Sequence, residues 1–329
     1  MKNYGVILED PKVEDYRFGG YSAVKNEVLV VDGNWSMYLP DNEVQRSVYF
    51  DSLACVSFSA TNIVETLFNY YIKNKLISIG DMQWLSDNGY ISETGLINFS
   101  DRFTAKMSGT TKKGNTGYNV ARSIRKDGLV PESKYDYPID QKNPVFSWAN
   151  YYQPVPDKLV KLGKEFLRRF EVQSEVVYEA DFDRAILSSP IQVYVYAWAE
   201  KDGVYYTPEG SEQNHAVMKQ VVCRGVYDSY NPFIKKLVDN FDYYYHGYKY
   251  NIIFKNKKIM RLVKTKDNED VYLVDAQGNK RFIIDEGHFR SLIPALGLGV
   301  DEDDWSQIEV ILEEEMAKFK EERPIFVAK

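Results

Sequence analysis

The chain has 329 residues, 44% of them hydrophobic and 27% charged, with a formal net charge of −7 and a pI near 5.3. That length and apolar content can build a substantial core and more than one domain, while the acidic balance argues against a nucleic-acid-binding face. No apolar run approaches the ~18 residues of a membrane span, Glu9 and Asp10 interrupt any signal-peptide core, and two cysteines make no disulfide framework. A cytoplasmic setting is therefore expected, with virion association as a variant of it. Aromatic content is high at 15%, including 26 tyrosines, which favours half-buried strands and contact surfaces.

Residues 1–48 read as a turn-rich arm that belongs to the folded body. Val28–Asp32 is its expected strand, and Gly19-Gly20 and Asp32-Gly33-Asn34 are its turns. A helix then opens at Cys55. Its apolar residues Phe58, Ile63, Val64, Leu67, Phe68, Tyr71 and Ile72 recur as one buried face, with Ser52 as the expected N-cap. Lys73–Asn88 reads as a second helical or loop region around Trp84, and Leu96–Ser108 as a further helix. Next come a Gly-containing loop at 112–117, a short helix from about Asn119 and a Gly128 C-cap. Leu159–Phe170 has helical spacing, and Pro190–Trp198 alternates β-branched and aromatic residues as a strand. Lys201–Tyr205 returns as a hairpin into the Asn214–Cys223 strand, and Tyr243–Tyr250 is a further aromatic strand containing His246. From about residue 256 the composition changes to a hairpin turning at Gln277-Gly-Asn279, then two helices over 286–296 and 304–321, the second with an apolar stripe through Trp305 and Met316.

The chemistry concentrates on few residues. Cys55 sits in the first turn of its helix, where unpaired N–H groups and the dipole stabilise a thiolate. Only three histidines exist. His215 opens a strand, with Asp228 following across a turn; His246 reads as structural and His288 as surface or capping. Cys223, among valines, reads as an inert buried thiol. No His-Glu-x-x-His, Cys-x-x-Cys or phosphate-cradling loop is present, so no metal and no cofactor are expected.

At these residues the chain resembles the papain-like cysteine peptidases, as a divergent bacterial or phage-type member. Cys55-Val-Ser-Phe-Ser-Ala60 is similar to the family's Cys-Trp-Ala-Phe-Ser-Ala, Asn214-His-Ala-Val217 to its Asp/Asn-His-Ala-Val strand, and Asp228-Ser-Tyr230 to its Asn-Ser-Trp. Cysteine, histidine and orienting group also occur in the family's order, with a gap slightly over the usual ~130–150 residues. The resemblance covers about residues 40–250. It implies an α+β, two-lobe fold: a helical lobe opening with the Cys55 helix and a β-barrel-like lobe carrying His215. The expected division is a peptidase domain over 1–255 (arm 1–48, helical lobe 49–150, β lobe 151–255) and a small C-terminal α/β appendage over 256–329.

The implied activity is peptide-bond cleavage through a Cys55–His215 dyad oriented by Asp228, with Gln45 as an oxyanion donor. Gly117 and Asn214 would line the substrate strand. Gln45 stands ten residues before Cys55, further than is usual for the family, and an exposed arm glutamine is the alternative reading. A turn glycine is the alternative for Gly117, and an Asx-turn aspartate for Asp228. The expected partner is a peptide or protein substrate, with an assembly partner docking through the C-terminal module. An inactive scaffold, such as part of a phage or prophage particle, and amide transfer by the same dyad are the rival functions.

Overall fold

The protein is described from a computed structural model, over residues 4–12, 15–20, 27–46, 50–135, 147–222, 224–255, 261–274, 279–283 and 308–321. Cys223, the 277–278 turn, the 286–296 helix with His288, and Trp305 lie outside these. Chain contacts define two compact units, Met1–Leu76 with Leu85–Ile253, and Ile77–Trp84 with Phe254–Lys329.

Seven helices are described before residue 254: α1 (Cys55–Lys73), α2 (Ile79–Asp87), α3 (Asp101–Met107), α4 (Gly117–Asp127), α5 (Trp148–Tyr151), α6 (Asp157–Arg169) and α7 (Phe182–Ala185). The first, α1, is the spine of its unit. The expected single buried face is an underestimate, because every residue from Cys55 to Asn69 is buried. Three of its four buried hydroxyls bond backwards, from Ser59 to the Cys55 carbonyl (2.8 Å), Thr61 to Ser57 (2.9 Å) and Thr66 to Asn62 (2.7 Å), while the Ser57 hydroxyl has no partner among the described residues. A satisfied hydroxyl is cheap to bury, an unsatisfied one is not. Its longer polar side chains reach outward: Glu65 accepts from the Phe99 N–H (2.6 Å) and Asn69 from the Ile97 N–H (2.9 Å). Behind α1, Phe68, Phe99, Phe166 and Phe170 meet edge-on or tilted at 5.0–5.9 Å.

The other face of α1 packs on a seven-stranded sheet, of order β1-β2-β9-β3-β6-β7-β8. Its strands are β1 (Tyr16–Arg17), β2 (Phe170–Tyr178), β3 (Ile191–Val195), β6 (His215–Lys219), β7 (Gly225–Tyr227), β8 (Ile234–Lys236) and β9 (His246–Phe254). A small hairpin, β4 (Ala199–Lys201) with β5 (Val204–Tyr206), forms where the sequence predicts one. Strands β3 and β6 are antiparallel, pair Val195 with His215, and are buried throughout. Gln192 of β3 reaches across to α1, donating to the Val56 carbonyl (2.8 Å) and the Ser59 hydroxyl (2.7 Å). These bonds set the helix start against β3, the strand paired with the one that carries His215.

Two expectations are corrected here. The sheet is open between β1 and β8, with no closed barrel among the described residues. Nor is Val28–Asp32 a strand: Leu29 and Val30 both donate to the Leu187 carbonyl in an irregular segment, with Val31 turned out to solvent.

The second unit holds a five-stranded sheet, of order β13-β10-β11-β12-β14. Its strands are β10 (Arg261–Thr265), β11 (Tyr272–Val274), β12 (Asn279–Phe282), β13 (Glu309–Ile311) and β14 (Lys320–Glu321). The expected hairpin is the antiparallel β11–β12 pair. Where one helix over 304–321 is expected, the described residues form a strand, the single-turn α8 (Glu313–Met316) and another strand. Ile308 and Ile311 face inward while Val310 and Leu312 are exposed, and Ile311 and Met316 pack with Val263 and Val274.

Candidate active site

The nucleophile candidate stands at the first residue of α1, where the helix N–H groups lack intrahelical acceptors. The cap differs from expectation. Ala54 is the N-cap and makes no side-chain bond, while the Ser52 hydroxyl has no partner among the described residues. Asp51 does the local fixing instead, accepting from the Leu53 N–H (3.0 Å) where Leu53 takes a positive φ of 53°.

His215 opens β6, and the backbone of its neighbour Ala216 hydrogen-bonds the Cys55 sulfur. The ring's Nε2 shares a 2.7 Å hydrogen bond with Asp228 Oδ1, and its Nδ1 has no partner among the described residues. Asp228 follows β7 and is fully enclosed. Its second oxygen accepts from the Trp198 indole N–H (2.9 Å) and from Lys235 Nζ (2.8 Å). Burial works to raise the Asp228 carboxyl, but His215 and Lys235 outweigh it, and the group lies below the usual carboxylate range. The side chain is thus spent on the histidine and the lysine rather than on an Asx turn. Three aromatic rings box the imidazole, Tyr230 at 5.3 Å, Tyr4 at 5.5 Å and Trp198 at 5.9 Å between centroids.

Gln45 is buried rather than exposed. Its amide donates to Tyr230 Oη (2.7 Å), the Tyr4 carbonyl (3.1 Å) and Asp51 Oδ1 (3.3 Å), and its carbonyl accepts from Ser229 (2.9 Å). The Asn214 side-chain oxygen accepts from the Ala197 N–H (2.8 Å), and its backbone carbonyl accepts from the Tyr4 N–H (3.2 Å). Gly117 lies in the first turn of α4, where an added Cβ would meet Tyr194 Oη at 2.0 Å and the Tyr248 ring at 2.6 Å. That is close helix–sheet packing. The backbone that accepts a neighbouring strand is two residues earlier: Asn115 donates to the Gly5 carbonyl (2.9 Å) and accepts from the Ile7 N–H (2.8 Å).

Residues 4–7 of the arm therefore lie across the site. Tyr4 has its N–H on Asn214 and its carbonyl on Gln45, and Gly5–Ile7 run beside Asn115. With the arm in place Cys55 and His215 are both 0% exposed. Burial, followed by the charges of Asp228 and Asp51, pushes the Cys55 thiol up, overriding the helix-terminal effect that sequence reasoning emphasises. Beside the residues leading to Cys55, a cavity of about 440 Å³ is lined by Lys106, Thr110, Thr111, Lys112, Trp148 and Tyr152.

Sequence reasoning did not find Tyr4, Trp198 or Lys235. Lys235 carried no signal, since Ile234-Lys-Lys236 reads as an exposed edge strand. Among the described residues no group of three His, Cys, Asp or Glu side chains could hold a metal ion, and no helix is long and apolar enough to cross a membrane.

No protein-family model matches the chain, and comparison with curated proteins returns no match. Solved structures give similarity at low identity. Xylellain, a cysteine protease from Xylella fastidiosa, aligns over 76% of this chain and 96% of its own at 15% identity and a TM-score of 0.47. Digestive procathepsin L 3 of the Tenebrio molitor larval midgut aligns over 75% of each chain at 15% identity and a TM-score of 0.39.

Proposed function

We propose that the protein is a papain-like cysteine peptidase. The observation that carries this reading is the Cys55 sulfur at a helix start, hydrogen-bonded beside a histidine whose far nitrogen is held by a buried aspartate. In the proposed cycle His215 takes the thiol proton through Nδ1, and the Cys55 thiolate attacks the scissile carbonyl carbon. The tetrahedral oxyanion is held by the Cys55 N–H and the Gln45 amide. His215 protonates the leaving amine as the C–N bond breaks, leaving a thioester that water hydrolyses with His215 as base. Support for Gln45 in that role comes from the Tyr4 carbonyl, a backbone oxygen already held by its amide inside the site.

Turnover requires residues 4–7 to leave, because Tyr4 covers the imidazole. A thiol-directed epoxide probe should modify Cys55, mapped by peptide mass spectrometry, and Cys55→Ala should lose both modification and peptide cleavage. Labelling that persists elsewhere in Cys55→Ala would sink the assignment.

The enclosure of both reactive side chains favours one rival, a binding scaffold that does not cleave. It is distinguished by removing residues 1–8. A scaffold stays unlabelled and inactive when uncovered, whereas a peptidase gains both.

A further inference from the structure

We infer that Lys235 is a positioning residue of the proposed peptidase site, balancing the charge of the buried Asp228 carboxylate that holds His215. This rests on the peptidase reading of Cys55 and His215. The turn after Asp228 folds back so that Asp228 N–H donates to the Phe233 carbonyl (2.7 Å), and β8 then returns Lys235 under the carboxylate. Lys235 is 2% exposed, and its Nζ contacts Asp228 Oδ2 at 2.8 Å, the Tyr230 carbonyl at 2.7 Å and the Pro232 carbonyl at 2.6 Å. It also lies over the Trp198 and Tyr205 rings at 5.4 and 5.6 Å. A lysine so enclosed has lost its water and keeps its charge only through such partners.

The pairing explains why position 228 holds an aspartate. Oδ2 receives two donors, the Trp198 N–H and the Lys235 ammonium. An amide could meet His215 with its oxygen, but would then turn its own NH₂ toward those donors. With the carboxylate, the thiolate, imidazolium, aspartate and lysine sum to zero charge. Without Lys235 a net negative charge would remain, which opposes a second anion on Cys55. The other charged or titratable groups acting around this cluster are Asp51, Arg46, Tyr4, Tyr196, Tyr205 and Tyr230. None of them contacts Asp228 Oδ2 among the described hydrogen bonds and ion pairs.

The test is a charge-swap cycle in the full chain, read by ¹⁵N NMR titration of the His215 imidazole, assigned by its loss in His215→Ala. Where cleavage is measurable, the pH profile of kcat/KM is a second readout. Lys235→Met should move the His215 midpoint and both profile limbs upward by about one pH unit, and Asp228→Asn should move them downward. The double variant should return near the wild-type position. An unmoved midpoint in Lys235→Met, or a double variant that keeps the single variant's displacement, overturns the assignment. Should Lys235→Met fail to fold, the comparison of Asp228→Asn with the double variant still decides. Equal midpoints in those two refute the balance. Because the NMR reading needs no turnover, failure of the peptidase reading shows separately, as absence of Cys55-dependent cleavage.

Discussion

Replacing Gly5 by alanine should uncover the site, and the size of the effect follows from the arm's geometry. Gly5 has a φ of +111°, and an added Cβ would lie 2.2 Å from the Leu53 carbonyl oxygen and 2.4 Å from its carbon. Both are backbone atoms fixed two residues before Cys55, so the arm rather than the helix start must yield. Strain at a positive φ costs of order 1–3 kcal/mol. Displacing the segment also loses at least one of the bonds Asn115 N–H to Gly5, Ile7 N–H to Asn115 and Tyr4 N–H to Asn214, each worth about 1 kcal/mol. Docking should therefore weaken by about 2–4 kcal/mol, or ~30- to 1,000-fold at 1.4 kcal/mol per decade. Alkylation of Cys55 by iodoacetamide, followed by peptide mapping, reads the open fraction directly and should rise by that factor until opening no longer limits it. A rate within twofold of wild type, alongside a lowered thermal midpoint showing that the substitution was felt, would refute the gating argument.

Other outcomes concern stability. His246 lies among Tyr194, Tyr244, Tyr245 and Tyr248, and burial pushes it down to about 4 despite Asp10 and Glu9. A depressed histidine contributes stability above its unfolded value near 6.5 and loses it as pH falls toward 4, so the thermal midpoint should drop across that window and drop less in His246→Gln. Glu132 is pushed up to about 8 by burial and then by Glu43. Its contribution is complete below an unfolded value of about 4.3 and lost as pH rises through 8, so Glu132→Gln should raise the melting temperature at pH 8.5 and not at pH 4. Phe166→Ala, emptying the ring cluster behind α1, should cost about 3–5 kcal/mol by urea denaturation; a cost under 1 kcal/mol would mean that the cluster repacks.

The legible parts of the molecule are those set by local pattern. The start of α1, the Gly128 stop of α4, the β4–β5 hairpin and the His215 strand all fall where periodicity and turn residues put them. Cys55, His215 and Asp228 come together because α1 packs on β6 and β7 continues the same sheet. What escaped the sequence depends on distant partners. Lys235 sits on a short strand whose pattern says solvent, and only the fold-back after Asp228 encloses it. Gln45 is open in the sequence between an oxyanion donor and an exposed arm residue, and its burial depends on Ser229, Tyr230 and Tyr4 converging on it. The helix start favours a thiolate in isolation, yet burial in the folded unit, with Asp228 and Asp51 nearby, pushes the Cys55 thiol up. Helix content over 304–321 was misjudged because the apolar stripe through Trp305 and Met316 has helical spacing, while the exposed–buried–exposed order of Val310, Ile311 and Leu312 is a strand's period of two.

The strand order carries a consequence for how the molecule comes into being. β9, the last strand of the main sheet in sequence, inserts between β2 and β3 rather than adding at an edge. During synthesis the strand bearing His215 exists well before the centre of its sheet is filled. Until residue 254 has emerged, β2 and β3 each present an unpaired edge facing a gap, the kind of surface that recruits other chains. Closing that gap joins segments far apart along the chain, which makes it a slow step. A ribosome that stalls before β9 therefore leaves both of these edges open on the nascent chain.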